Sequence, residues 1–98
     1  METTSTDTML DEVWVLSPAV ALRPEPFGAM AYHFGNRKLT FLKRPELVQV
    51  IRTLKDGATL RQVLSEVGVP ERQWPAYVKA LRGLAGTDMI RTSEGKDS

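Results

Sequence analysis

The chain has no cysteine, which excludes disulfides, zinc–thiolate sites and thiol nucleophiles. It has a single histidine, His33. No partner stands at HxxxH or HxH spacing, so no metal site is expected. His33 reads as a structural or surface residue. No apolar run approaches the roughly 20 residues that span a bilayer, so no membrane partner is expected. Met1 to Asp11 are polar and acidic, unlike a signal or transit peptide. There is no Gly-rich phosphate loop and no nucleophile elbow around a serine. The carboxylates scatter into turns, first helical turns and tails; Glu46 and Glu71 sit where they favour a helix dipole. No catalytic residue and no cofactor is called for, and the chain is not expected to be an enzyme. The absence of cysteine suits a cytoplasmic location.

What is present fits one domain with one core, given 98 residues. The net charge of +1 hides an asymmetry. Residues 1–12 hold Glu2, Asp7, Asp11 and Glu12 and no Lys or Arg, so residues 13–98 carry +5. A mildly basic body can hold an acidic peptide or, weakly, a nucleic acid. A solvated mixed surface explains the charge as well.

Residues 1–12 are poor in apolar side chains and are expected to be a disordered acidic tail. Val13-Trp14-Val15-Leu16 forms an apolar arm, with Trp14 as its anchor. Three strand-like segments follow: Val20 to Arg23, Ala29 to Phe34, and Lys38 to Leu42. Pro24 to Gly28 reads as a turn region, because two prolines and a glycine oppose regular structure. Alternation puts Met30, Tyr32 and Phe34 on one face of the second strand, and Ala29, Ala31 and His33 on the other. Gly35-Asn36-Arg37 can supply the positive φ of a hairpin. In the third strand Leu39 and Phe41 share a face opposite Lys38, Thr40 and Leu42.

Three helices are expected next. Pro45 suits a first turn, and Leu47, Val48, Ile51 and Leu54 repeat at helical spacing. Gly57 can end that helix left-handed. Thr59 and Gln62 form a capping box for the second helix, which Gly68 ends. The third opens near Pro75, carries Trp74, Val78, Leu81, Leu84 and Ala85 on one face, and closes at Gly86. Met89 to Arg91 adds a short extended piece, and residues 92–98 read as a disordered tail. The fold expected is α+β and winged-helix-like: a three-stranded antiparallel sheet followed by three helices.

Two features can bind. Arg37, Lys38, Lys43 and Arg44 bracket Leu39, Thr40, Phe41 and Leu42 on a strand that ends a meander. Its free edge can pair with an extended peptide, and the bracket favours an acidic one. The alternative is that Lys and Arg only guard an edge against aggregation. The second feature is the third helix, where Trp74, Tyr77, Val78, Leu81 and Leu84 exceed one narrow stripe. They serve either a groove or the core. The competing class is a winged-helix DNA-binding regulator, with Gly68-Val69-Pro70 as its turn and Arg37-Lys38 as its wing. Its reading helix would start Glu71-Arg72-Gln73-Trp74-Pro75 and add only Lys79 and Arg82. Few phosphates would be neutralised, so nucleic acid is disfavoured. A structural subunit that steadies an enzyme is a third reading.

Leu16-Ser17-Pro18-Ala19-Val20-Ala21-Leu22-Arg23-Pro24-Glu25-Pro26-Phe27-Gly28 resembles the mycofactocin-system peptide chaperones. So does Tyr32-His33-Phe34-Gly35-Asn36-Arg37-Lys38-Leu39-Thr40-Phe41-Leu42. That family is related to the pyrroloquinoline-quinone peptide chaperones. Both belong to the recognition elements of ribosomally made, modified peptides. The resemblance runs from about Leu16 to Ile90. It implies a precursor-peptide recognition domain over 13–91 that binds the leader of a short precursor peptide. The leader adds beside the third strand and packs on the third helix. The domain then presents it to a radical S-adenosylmethionine maturase, which modifies a C-terminal Val-Tyr pair. Carried over by position, the peptide-binding residues are Lys38 to Lys43 with Tyr77, Val78, Leu81 and Arg82; the charge bracket adds Arg37.

Overall fold

Side-chain alternation builds the main sheet. The computed structural model describes residues 9–93. The tail expectations for 1–8 and 94–98 lie outside the described residues. Strands β1 (Trp14–Leu16), β2 (Val20–Glu25), β3 (Gly28–His33) and β4 (Leu39–Leu42) come first. Helices α1 (Pro45–Thr53), α2 (Leu60–Val67) and α3 (Trp74–Gly86) follow, then β5 (Ile90–Thr92). β2, β3 and β4 form an antiparallel meander in that order. The register sets Leu22 against Ala31 and Ala31 against Thr40, and Ala29 against Leu42. Opposed residues share a face. One face therefore carries Val20, Ala29, Ala31, His33 and Leu42, all buried. Met30, Tyr32, Leu39 and Phe41 lie on the other face.

Beneath the buried face sits α1, packed on β1, β3, β4 and α2. Its Leu47, Val48, Val50 and Ile51 enter the core. Pro45 occupies its first turn, as expected. Its end differs from expectation: the helix stops at Thr53, and Leu54 leaves it extended with a buried side chain. Gly57 takes its φ of +99° in the turn that follows. α2 has the expected reciprocal cap: Thr59 accepts from the Gln62 N–H, and the Gln62 side chain accepts from the Thr59 N–H. Such a cap is worth about 1 kcal/mol. Gly68 ends α2 left-handed, with φ +93°. A 3-10 turn (Glu71–Gln73) leads into α3. Trp74, Tyr77, Val78, Leu81 and Leu84 of α3 are all buried, and Trp74 Nε1 donates to the Val69 carbonyl at 2.8 Å.

Three boundaries move. The turn between β2 and β3 is only Pro26-Phe27, and Pro24 lies inside β2. Phe34 N–H donates to the Ala19 carbonyl, so alternation puts the β2–β3 ladder bonds at Ala21, Arg23 and Glu25. Pro24 faces away from the ladder, where its missing N–H costs nothing. Order also starts before residue 13: Met9 and Leu10 are buried in the core, and the Glu12 carbonyl accepts from Leu60 N–H. At the other end Thr92 pairs with Trp14 in a small β1–β5 sheet, and Ser93 N–H donates to the Val13 carbonyl. These residues belong to the fold rather than to tails, because the arm and the final extended piece satisfy each other's backbone groups.

Candidate functional site

The two edges of the meander are unlike. On β2, the residues facing away from the ladder are Val20, Leu22 and Pro24. Val20 N–H is already held by the Ser17 carbonyl, and Pro24 has no donor, so Leu22 alone offers one. On β4, His33 N–H donates to the Lys38 carbonyl at 3.0 Å. Alternation from that bond turns the groups of Thr40 and Leu42 toward β3, and those of Leu39 and Phe41 outward. The receptive edge is therefore β4, with donors and acceptors at Leu39 and Phe41.

Past this edge lies a groove of about 300 Å³ lined by Phe41, Leu42, Lys43, Arg44, Leu47, Ala76, Tyr77 and Ala80. Its two walls are the end of β4 and one face of α3. Small side chains at Ala76 and Ala80, one turn apart, leave the space. Tyr77 is buried at its base. A strand added to β4 would place alternate side chains beside Thr40 and Leu42, toward this groove. The others would stand beside Leu39 and Phe41 on the outer face.

The residues expected to bind divide accordingly. Leu39, Thr40, Phe41, Leu42 and Lys43 form the edge and its continuation, with Leu42 buried and Phe41 and Lys43 in the groove wall. Arg37 and Lys38 are exposed on the β3–β4 hairpin. Tyr77 lines the groove, whereas Val78 and Leu81 point into the core. They follow the helix's buried stripe, one step round from the groove face. Arg82 is exposed but engaged elsewhere in the protein. Reading the sequence missed Leu47, Ala76 and Ala80. The signal available was a pair of alanines at i and i+4 beside Tyr77.

A clamp fixes the hairpin against the end of α3. His33 Nε2 contacts Asp88 Oδ2 at 2.8 Å, while Gly35 N–H and Asn36 N–H both donate to His33 Nδ1. Asn36 Nδ2 donates to the Thr87 carbonyl at 2.9 Å. The His33 hydrogen bond, aided by Arg91, holds the Asp88 carboxyl below its ordinary value of 3.8 against a smaller desolvation effect. Both walls of the groove are thereby tied together at one end. The positive φ of the hairpin falls on Arg37, at 64°. The described end of the acidic segment lies elsewhere: Asp11 pairs with Arg61 of α2 at 3.0 Å.

Comparison with known proteins gives a consistent answer. Residues 13–91 match the family described as "Peptide chaperone MftB family". The chain is 46% identical over 80 residues to the peptide chaperone MftB of Mycobacterium tuberculosis, covering 82% of this chain and 73% of that protein. Against the Mycolicibacterium smegmatis protein of the same name it is 45% identical, covering 82% and 78%. Among solved structures, E. coli MccB crystallised with AMPCPP and selenomethionine-labelled MccA superposes with a TM-score of 0.60 at 13% identity. A second MccB structure, with succinimide, gives 0.58. The first match covers 87% of this chain but only 24% of MccB, a likeness of fold. Nothing in these matches favours a DNA-binding regulator. By sequence over nearly all its described length, the chain belongs to the peptide chaperone MftB family.

Proposed function

We propose that the chain holds the leader of a ribosomally made precursor peptide as a fourth strand along β4. It then presents that peptide to a radical S-adenosylmethionine maturase in mycofactocin biosynthesis, without catalysing the reaction. The carrying observation is the contrast between the edges: Pro24 and the Ser17–Val20 bond leave β2 a single outward donor, at Leu22, while β4 turns the groups of Leu39 and Phe41 outward beside a groove. Main-chain pairing supplies affinity, and alternate side chains entering toward Tyr77, Ala76 and Ala80 supply selection. Arg37, Lys38, Lys43 and Arg44 surround this edge and form no ion pair among the described residues. They suit an acidic, partly apolar leader and speed its capture. The name carried by the relatives, peptide chaperone, agrees with a holding role.

Amide exchange tests the reading. In the free protein the Leu39 and Phe41 amides should exchange fast, and those of Thr40 and Leu42 slowly. Saturation with the precursor peptide should protect the first pair. Binding that leaves Leu39 and Phe41 unprotected would rule out strand addition at this edge.

A further inference from the structure

The described residues leave four large hydrophobic side chains exposed: Phe27 at 41%, Phe34 at 65%, Leu39 at 48% and Phe41 at 53%. Scattered singly, such residues mean little. These four are gathered on one face of one sheet. Leu39 and Phe41 share the outer face by register with Tyr32 and Met30. Phe34 continues the alternation of β3, and its ring meets Tyr32 edge to face, with centroids 5.1 Å apart. Phe27, in the β2–β3 turn, meets Phe41 in the same way at 5.9 Å. With large apolar side chains of roughly 200 Å² each, the open apolar area is on the order of 400 Å², in the range of the largest patch on a monomer, which is often functional. Helix α1 packs under the opposite, buried face.

We infer that this outer sheet face is a docking surface for a second protein, one that brings an apolar patch ringed by carboxylates. The charges around it choose that partner. Arg23, Arg37, Lys38 and Lys43 stand on or beside the face. Among the described residues, only Arg23 of these has an acid beside it, Glu25, at 3.5 Å. A second copy of this chain would press like-charged rims together, an arrangement that costs affinity. The face is also continuous with the edge assigned to the peptide. Side chains of an added strand that stand beside Leu39 and Phe41 emerge on it. Resting on the strand-addition reading, the docked partner is the maturase, which would meet the chaperone and its cargo on one surface.

The test uses the full chain, the precursor peptide and the purified maturase. Calorimetry measures peptide binding, and biolayer interferometry measures maturase binding, for wild type and for the Phe27→Ser/Phe34→Ser double variant. Neither position lines the groove. The double variant should bind peptide within about twofold of wild type and bind maturase at least about tenfold more weakly, as expected for aromatic anchors. Should it fail to fold, Phe34→Gln alone, at the most exposed of the four positions, carries the same comparison with a smaller loss. Maturase affinity unchanged by these substitutions would overturn the proposal. So would wild type that binds peptide but not maturase. So would sedimentation showing a dimer that the substitutions abolish, which would give the face to a second copy. Failure of wild type to bind peptide, with maturase binding still lost in the variant, would sink the groove reading and leave the docking face standing.

Discussion

His33 Nε2 donates to Asp88 Oδ2 across 55 residues of chain, at 2.8 Å. The direction follows from the other nitrogen: two backbone N–H groups, of Gly35 and Asn36, already donate to Nδ1. The ring hydrogen is therefore on Nε2. One side chain shapes the hairpin that starts β4 and fastens it to the turn after α3. Replacing His33 by Ala removes three hydrogen bonds, each worth about 1 kcal/mol net. Urea unfolding should show a loss of about 2–3 kcal/mol. Peptide affinity should fall as well, since the two groove walls are then tied only through Asn36 and Thr87. A stable variant with native affinity would contradict this clamp.

Asp88 sets a pH dependence. Its folded pKa lies below the ordinary 3.8, chiefly through the His33 hydrogen bond. A carboxyl whose pKa is lowered by folding stabilises the protein above its unfolded pKa. That contribution is lost as pH falls from about 3.8 through the folded value. The side chain is 48% exposed, so screening keeps the contribution below about 1 kcal/mol. Asp88→Asn retains an acceptor and suits the left-handed φ of 63° found there. The stability gap between wild type and variant should be open at pH 6 and close as the pH falls below 3.8 through the folded value. A gap independent of pH would exclude this role.

Gly28 is required by space as well as by its φ of +147°. A Cβ there would overlap the Leu42 carbonyl oxygen, at the point where β4 turns into the groove wall. Gly28→Ala should cost at least about 2 kcal/mol, through backbone strain and displacement of that strand end. Chemical denaturation would measure the loss. The cross-peaks of Leu42 and Lys43 should move most in an NMR comparison; an unshifted β4 would show that the clash is relieved elsewhere.

Much of this arrangement was legible in the sequence because it is local. The Thr59–Gln62 cap, the Gly68 terminus and the shared face of Leu39 and Phe41 follow from one residue's chemistry or from a period of two. The β1–β5 sheet did not announce itself in the same way. Three-residue strands separated by most of the chain carry no pattern, and Thr92 reads as tail until Trp14 is beside it. Pro24 was legible as a breaker but not as an edge residue, since that depends on which way its N–H position faces. Val78 and Leu81 show the limit on a helix: periodicity finds the buried stripe, but only packing says that the groove lies one step round, at Ala76, Tyr77 and Ala80.

Arg37 holds a left-handed conformation, φ 64°, that favours glycine. A side chain there costs about 1 kcal/mol. Arg37→Gly should therefore raise the urea midpoint, while association with an acidic peptide becomes slower and less dependent on salt. Strain retained beside a binding edge is expected when the residue's charge is used there. If the glycine variant is no more stable, the hairpin relieves the strain in some other way. If it associates as fast as wild type at low salt, the Arg37 charge plays no part in capture.

Proline distinguishes the two sides of β4. Leu42 N–H points toward β3, so Leu42→Pro breaks the ladder and sets a ring against the core. It should cost about 3 kcal/mol or more and leave little folded protein. Phe41 N–H points outward, where proline removes only a group waiting for a partner. Phe41→Pro should keep a native-like circular dichroism spectrum and lose peptide affinity at least about tenfold, beyond the loss in a Phe41→Val control that keeps the N–H. Equal affinities of the proline and valine variants would mean that the bound peptide takes no hydrogen bond from Phe41, and the added strand would have to lie in another register or another place.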